Sequence, residues 1–216
     1  MVVAIDGPAG VGKSTVARAV AAALGLPHLD TGAFYRAVGL AVARAGADPA
    51  DAAEVLAVAS RADLDFAGGV MLLDGEPVSE AVRSPEVAAL ASAISIFPEV
   101  RQVVVQQQRA WVERRGGRAV VEGRDIGTVV FPEAAVKVYL VADAAERARR
   151  RARDNEAEGQ PLSAIERQLR ARDHADSTRE ASPLRPAEDA VTIDTTALSV
   201  EQVVAIVMGL VAEAEG

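Results

Sequence analysis

The run Gly7-Pro8-Ala9-Gly10-Val11-Gly12-Lys13-Ser14 satisfies every fixed position of G-x-x-x-x-G-K-[ST]. The chemistry such a string supports is phosphate binding. Glycines let the backbone curl so that successive N–H groups point inward at phosphate oxygens. A helix starting directly behind the loop adds the positive end of its dipole. Lys13 is then expected to bridge the β- and γ-phosphates of ATP and to act catalytically, Ser14 to ligate Mg²⁺, and Thr15 to complete the cradle. A second concentration of chemistry lies further on, where ten of the twenty-one arginines fall between Arg147 and Arg185 although the net charge is −8. An acidic protein with one arginine-dense stretch suggests a focused site for a small anion.

Phosphate binding does not say what receives the phosphoryl group. A regulatory GTPase needs a base-reading N-K-x-D, and the chain has no such tetrapeptide. A motor or transporter ATPase shows a long hydrophobic strand ending in an acid, plus partner surfaces; Val120-Val121-Glu122 could pass as that acid, so this alone does not exclude the class. The arginines fit a compact kinase better. An acceptor that is already a phosphate is ionised at neutral pH and needs no strong general base. It needs repulsion between two anions suppressed and charge on the transferring group dispersed. Guanidinium forks do this better than ammonium groups, and the only lysines are Lys13 and Lys137. Kinases for UMP, AMP or a non-nucleotide such as shikimate, and a non-enzymatic nucleotide switch, remain as rival readings.

Composition narrows the classes further. The acidic balance argues against a surface that coats nucleic acid or an anionic membrane. With no cysteine there are no disulfides, thiolate nucleophiles or zinc–thiolate clusters. No run approaches the roughly 18 apolar residues of a membrane span. The N-terminus lacks a signal peptide's basic region, so a cytoplasmic location is expected.

The elements that must position these residues alternate short apolar runs with longer amphipathic segments, the pattern of an α/β layered fold. Val2–Ile5 reads as a buried strand, followed by a helix from Lys13 to Leu24 closed by Gly25. Pro27–Asp30 reads as a strand, Thr31 as the cap of a helix ending near Gly46, and Asp48-Pro49 as the start of another. Three short antiparallel strands follow at Leu64–Phe66, Val70–Leu73 and Glu76–Val78, separated by Gly68-Gly69 and Asp74-Gly75. Ser84-Pro85 and Pro98 open two helices, the second running past Trp111. Strands at Arg118–Glu122 and Val136–Val141 resume the α/β pattern, and an arginine-rich helix starts near Ala144. Ser163-x-x-Glu166 predicts a capping box, Ala190–Asp194 a last strand, and Ser199-x-x-Gln202 the start of a final helix.

With those residues in view, the chain resembles the bacterial cytidylate kinase, or (d)CMP kinase, family over nearly its whole length. The resemblance rests on Ile5-Asp6-Gly7 through Ser14, on Leu29-Asp30-Thr31-Gly32-Ala33-Phe34-Tyr35-Arg36, and on Glu122-Gly123-Arg124-Asp125-Ile126-Gly127-Thr128-Val129-Val130-Phe131-Pro132. Glu146-Arg147-Ala148-Arg149-Arg150-Arg151 and Arg172-Asp173-His174-Ala175-Asp176 continue it. Thr31 stands where the family often has serine, Glu122 where it has aspartate, and the segment 155–162 is slightly short.

The resemblance implies a P-loop NTPase three-layer fold with a parallel sheet, a small β-containing insertion that binds the nucleoside monophosphate, and a helical lid. It assigns 1–60, 98–150 and 166–216 to the core, 61–97 to the insertion and 151–165 to the lid. It implies a monomer whose partners are ATP and CMP or dCMP, with Mg²⁺ accompanying ATP. Arg36 and Arg124 are expected to grip the acceptor's phosphate, and Thr31 and Tyr35 to line its site. Asp125, Arg101 and Ser92 match positions that hold the cytosine ring. That pairing suits a base edge offering an amine beside two acceptors, although Ser92 taken alone is an ordinary helix residue. Arg172 and Asp176 meet the sugar hydroxyls and Arg179 reaches phosphate. Arg147, Arg150 and Arg151 clamp ATP, with Arg150 and Arg151, like Arg124 and Arg179, stabilising the transferring group. Residues alone would also allow a surface ion-pair ladder at Arg172, Asp176 and Arg179, and a Glu146–Arg150 pair on a solvated helix. His28 and His174 are read as structural.

Overall fold

The computed structural model describes residues 1–153 and 160–216. Packing divides the chain into two compact units, one of Met1–Leu29 with Gly117–Gly216 and one of Asp30–Gly116. The sequence reading draws the insertion more narrowly, at 61–97, and part of its lid segment, 154–159, lies outside the described residues.

In the first unit, β1 (Val2–Asp6) leads through the glycine loop into α1 (Lys13–Leu24), which Gly25 ends in a left-handed turn at φ 62°. β2 (His28–Asp30) closes the N-terminal stretch. Among the described residues the main sheet has five strands in the order β2-β6-β1-β7-β8, where β6 is Ala119–Gly123, β7 Val136–Val141 and β8 Val191–Asp194. β6, β1, β7 and β8 run parallel, with Asp6 opposite Gly123 on one side and Tyr139 on the other. Val3, Ala4 and Ile5 are all fully buried although they point to alternate faces, so the sheet is covered on both sides. Val16, Val20, Val203 and Val207 pack on Ile5, Val138 and Leu140, which places α1 and α8 (Val200–Glu215) against the sheet. The capping box foreseen for α8 forms in both directions, between Ser199 and Gln202.

Two further helices carry the arginines. α6 (Ala144–Ala152) and α7 (Leu162–Thr178) pack through Ala148, Ile165 and Leu169, with Ala9 of the glycine loop in the same cluster. The capping box expected at Ser163 does not form. The helix already begins at Leu162 after Pro161, with no side-chain cap, and Glu166 pairs with Arg170 at one-turn spacing.

The second unit is helical with a small sheet. α2 (Thr31–Ala45) is capped by Asp30, whose carboxylate accepts the Ala33 N–H, one residue earlier than the sequence suggests. α3 (Ala52–Arg61) starts at the cap Asp51; Asp48-Pro49 instead makes a turn in which the Asp51 N–H reaches Asp48 O. β3 (Leu64–Ala67), β4 (Val70–Leu73) and β5 (Glu76–Pro77) form the antiparallel sheet expected from their glycine turns. α4 (Pro85–Ile94) is capped by Ser84 and packs against α2, and α5 (Pro98–Glu113) packs on α3. Buried Trp111 donates its indole N–H to Phe66 O, which ties α5 to the small sheet. Among the described residues no single helix is long and apolar enough to cross a membrane.

Candidate functional site

The glycine loop is built by close approach. Gly7 leaves β1 at φ 146°, where a Cβ would lie 2.3 Å from Leu140 O of β7. Gly10 and Gly12 (φ 78° and 93°) complete the turn into α1. Pro8, Ala9 and Val11 form the rest of the curve, and Thr15 is exposed on the first turn of the helix.

The outside of the curve is braced by α6. Arg147 Nη1 donates to Ala9 O at 3.0 Å and Arg150 Nη1 to Val11 O at 3.2 Å. Arg147 is buried and ion-paired with Asp173 of α7, whose other oxygen accepts the Ala9 N–H at 3.3 Å. Arg150 is held as well by Glu146 and by the hydroxyl and carbonyl of Thr195. Arg151 is half-buried at the end of the same helix.

Lys13 is buried, and its ammonium donates to Pro8 O at 2.6 Å. Desolvation holds its pKa well below the usual lysine value; Arg124 and Arg172 add to that, while Glu122 and Asp6 oppose it. Burial is thus the main cause, with two arginines set against two carboxylates, and a bound polyphosphate would favour the charged lysine. Ser14 is exposed and donates its hydroxyl to Glu122 Oε2 at 2.8 Å, and His28 Nε2 lies 3.0 Å from the other oxygen of that buried carboxylate. Among the described residues no group of three His, Cys, Asp or Glu is placed to cage a metal. A hydroxyl with a carboxylate behind it is instead the sparse, hard-oxygen set that suits Mg²⁺ carried on phosphates.

The turn after β6 brings the second group of expected residues together. Arg124 Nε meets Asp176 Oδ2 at 2.9 Å rather than its neighbour Asp125. Arg179 lies 3.6 Å from Asp176 Oδ1 and 4.0 Å from Asp125 Oδ1, and its Nε donates to Ser182 O. Two arginines and two aspartates from two segments, the turn after β6 and the end of α7, therefore share one network. Arg172 is on α7 one turn before Asp176, with an exposed side chain, and Arg179 stands just past the helix end.

In the other unit, buried Thr31 begins α2, and the guanidinium of buried Arg101 lies 5.2 Å from the centre of the Tyr35 ring. Arg101 also donates to Ser95 O at 3.2 Å. Arg36 pairs with the helix cap Asp30 at 2.8 Å, while its Nε has no hydrogen-bond partner among the described residues. Ser92 is exposed and turns its hydroxyl back onto Ala88 O of its own helix.

Sequence reasoning missed three residues that shape this region, Asp6, Asp173 and Thr195, whereas His28, read as structural, braces Glu122. Asp6 carried a signal, a lone charge closing the otherwise apolar strand before the glycine loop. Asp173 carried a weaker one, inside the quoted Arg172–Asp176 motif. Nothing near Thr195 pointed to a role.

Residues 3–213 match the cytidylate kinase family. A cytidylate kinase from Rhodococcus opacus is 46% identical over 100% of this chain and 96% of its own length. One from Mycobacterium avium is 50% identical over 94% of this chain and 92% of its own. An uncharacterised protein from Eubacterium ventriosum shares the fold at 12% identity and a TM-score of 0.55, covering 99% of this chain and 98% of that one. A curled phosphate loop with a buried lysine, an arginine–aspartate network beside it, and a family match over all but the chain's ends agree: this chain belongs to the cytidylate kinase family.

Proposed function

We propose a division of labour for the reaction that family membership brings with it, transfer of the γ-phosphate of ATP to CMP or dCMP. An oxygen of the acceptor's phosphate attacks the γ-phosphorus in line. The bond from that phosphorus to the β,γ-bridging oxygen breaks, and ADP leaves with the electron pair. Gly7 to Thr15 cradle the donor phosphates, and Lys13 neutralises charge on the β- and γ-phosphates. Ser14, oriented by Glu122, would hold Mg²⁺, which draws charge from the phosphates when bound. Arg124 and Arg36 grip the acceptor's phosphate, while Arg151 and Arg179 disperse charge on the group in flight, joined by Arg150 once it leaves Val11 O and Thr195. Asp125, Arg101 and Ser92 read cytosine, Tyr35 and Thr31 serve the same substrate, Arg172 and Asp176 meet the sugar, and Arg147 serves the ATP side.

The observation that carries this reading is the register of β1 and β6, which sets Asp6, just before the donor loop, opposite Gly123, just before the acceptor turn. Donor loop and acceptor turn thus leave neighbouring strands at the same level within a single unit, as transfer between two anions requires. A coupled assay of ADP release from ATP·Mg²⁺, with CMP, dCMP, UMP, AMP and GMP supplied separately, tests it. Rapid release with CMP and dCMP alone is expected. Rapid release with another monophosphate would overturn the cytosine assignment of Asp125 and Arg101, and slow release indifferent to every acceptor would overturn the kinase reading.

A further inference from the structure

Asp6 is the last residue of β1 and is peptide-bonded to Gly7, so whatever holds it also holds the root of the phosphate loop. Its side chain is 5% exposed. One oxygen accepts the Ile126 N–H at 2.9 Å and the other the Gly127 N–H at 2.8 Å. These amides open the wide turn from Ile126 to Val130, in which the Val130 and Phe131 N–H groups reach back to Asp125 O and Ile126 O. Asp6 also stands opposite Gly123 in the parallel ladder. The two residues between Gly123 and Ile126 are Arg124 and Asp125, so that pair is fixed on one side by the sheet and on the other by the carboxylate.

The residue type follows from the bonding. Two converging N–H donors need two acceptor oxygens, which a carboxylate has and an amide lacks. An asparagine here would turn its NH₂ toward one backbone N–H and leave a buried donor unmatched. Burial opposes this choice and pushes the Asp6 carboxyl up to about 6. A costly buried charge kept where the sheet alone would set the strand points to a demand beyond strand formation.

We propose that Asp6 is a positioning residue, a clasp that sets Arg124 and Asp125 at a fixed distance from the phosphate loop and so aligns acceptor with donor. The inference rests on the assignment of Arg124 and Asp125 to the acceptor given above. Asp6 touches no substrate; it acts through the turn.

The test is Asp6→Asn in the full chain, alone and combined with Arg124→Ala, with kcat and KM for CMP measured beside the Kd for ATP. Asp6→Asn should lower kcat/KM for CMP by about 10²-fold, the scale of an ångström-sized misplacement, while the Kd for ATP moves less than about threefold. In the Arg124→Ala background it should add less than about threefold, because the two changes disable one arrangement. Equal losses on CMP and ATP, or losses that multiply fully in the double variant, would overturn the clasp and leave Asp6 as a general structural residue. An Arg124→Ala protein with unchanged kcat/KM for CMP would instead overturn the acceptor assignment itself. Should Asp6→Asn fail to fold, Asp6→Glu serves. It keeps two acceptor oxygens and the charge but carries them one methylene further, against amides that now stand at 2.9 and 2.8 Å, and so shifts the turn while the loop sequence stays intact. The same lopsided loss, at least about fivefold on CMP and little on ATP, is expected; a loss shared evenly by both substrates, or none on CMP, would refute the proposal.

Discussion

Burial is the largest influence on the Asp6 carboxyl; Asp125 adds to it, and the Gly127 and Ile126 amides and Lys13 oppose it, leaving a value of about 6 against 3.8 for a free side chain. A carboxyl with a raised folded pKa keeps its proton longer in the folded state than in the unfolded one. Its contribution to stability is therefore most favourable below about pH 4 and declines as pH rises toward 6. Asp6→Asn cannot titrate, so the wild type should gain on the variant by about 2 kcal/mol between pH 7 and pH 4.5. Urea unfolding of both proteins at the two pH values measures this; a gap independent of pH would show that the carboxyl is not strained by its burial. Chemistry at this scale was legible where a residue type has few uses, as with Lys13 and Ser14 after the glycines. It was illegible where function lies in a contact. Arg124 looked able to pair with adjacent Asp125 but pairs with Asp176, fifty-two residues away. Arg150 lends its charge to the backbone of the loop, which no spacing rule announces.

Elements were easiest to read where a backbone constraint and a hydrophobic period agree. The Gly25 closure of α1, the two glycine turns of the small sheet and the Ser84-Pro85 start of α4 all fall where expected. They failed where a local signal had a competitor. Asp48-Pro49 has the order of a helix start, yet the Asp51 carboxylate accepts both the Ala53 and Glu54 N–H groups and makes the stronger cap. Ser163 lost its capping role because the helix starts right after Pro161. The junction of β1, loop and β7 tolerates still less. A methyl at residue 7 would have to enter the space held by Leu140 O, at a φ that side chains rarely adopt. Gly7→Ala should therefore weaken ATP binding at least tenfold and lower the unfolding midpoint by several degrees, on the scale of a few kcal/mol. Calorimetric titration and thermal melting check both, and wild-type values for the two would show that the loop can step away from the strand.

For the whole molecule, the contrast is between a net charge of −8 and a local excess of arginine. The field that draws an anion is short-ranged and set against a repulsive background. Raising salt from about 0.05 to about 0.5 M shortens the screening length from about 14 to about 4 Å. The KM for CMP should rise several-fold over that range while the melting temperature, set by apolar packing, shifts little. A flat KM would mean that the acceptor is held by contacts too buried for salt to reach. The grouping of residues 30–116 was the least legible feature at this scale. Composition changes texture only at the β-rich stretch, whereas α2 and α3 join that unit by packing on α4 and α5, and an amphipathic helix does not declare its partner.

The brace behind the phosphate loop has a thermodynamic consequence. With Ala9 O and Val11 O each held by a guanidinium and the Ala9 N–H held by Asp173, the backbone of the loop is fixed before any nucleotide arrives. The conformational entropy of curling the loop is lost when the chain folds rather than when nucleotide arrives. Affinity for the donor is thus stored in α6 and α7, which makes the arginine helix a lever on how tightly ATP is held from outside the cradle.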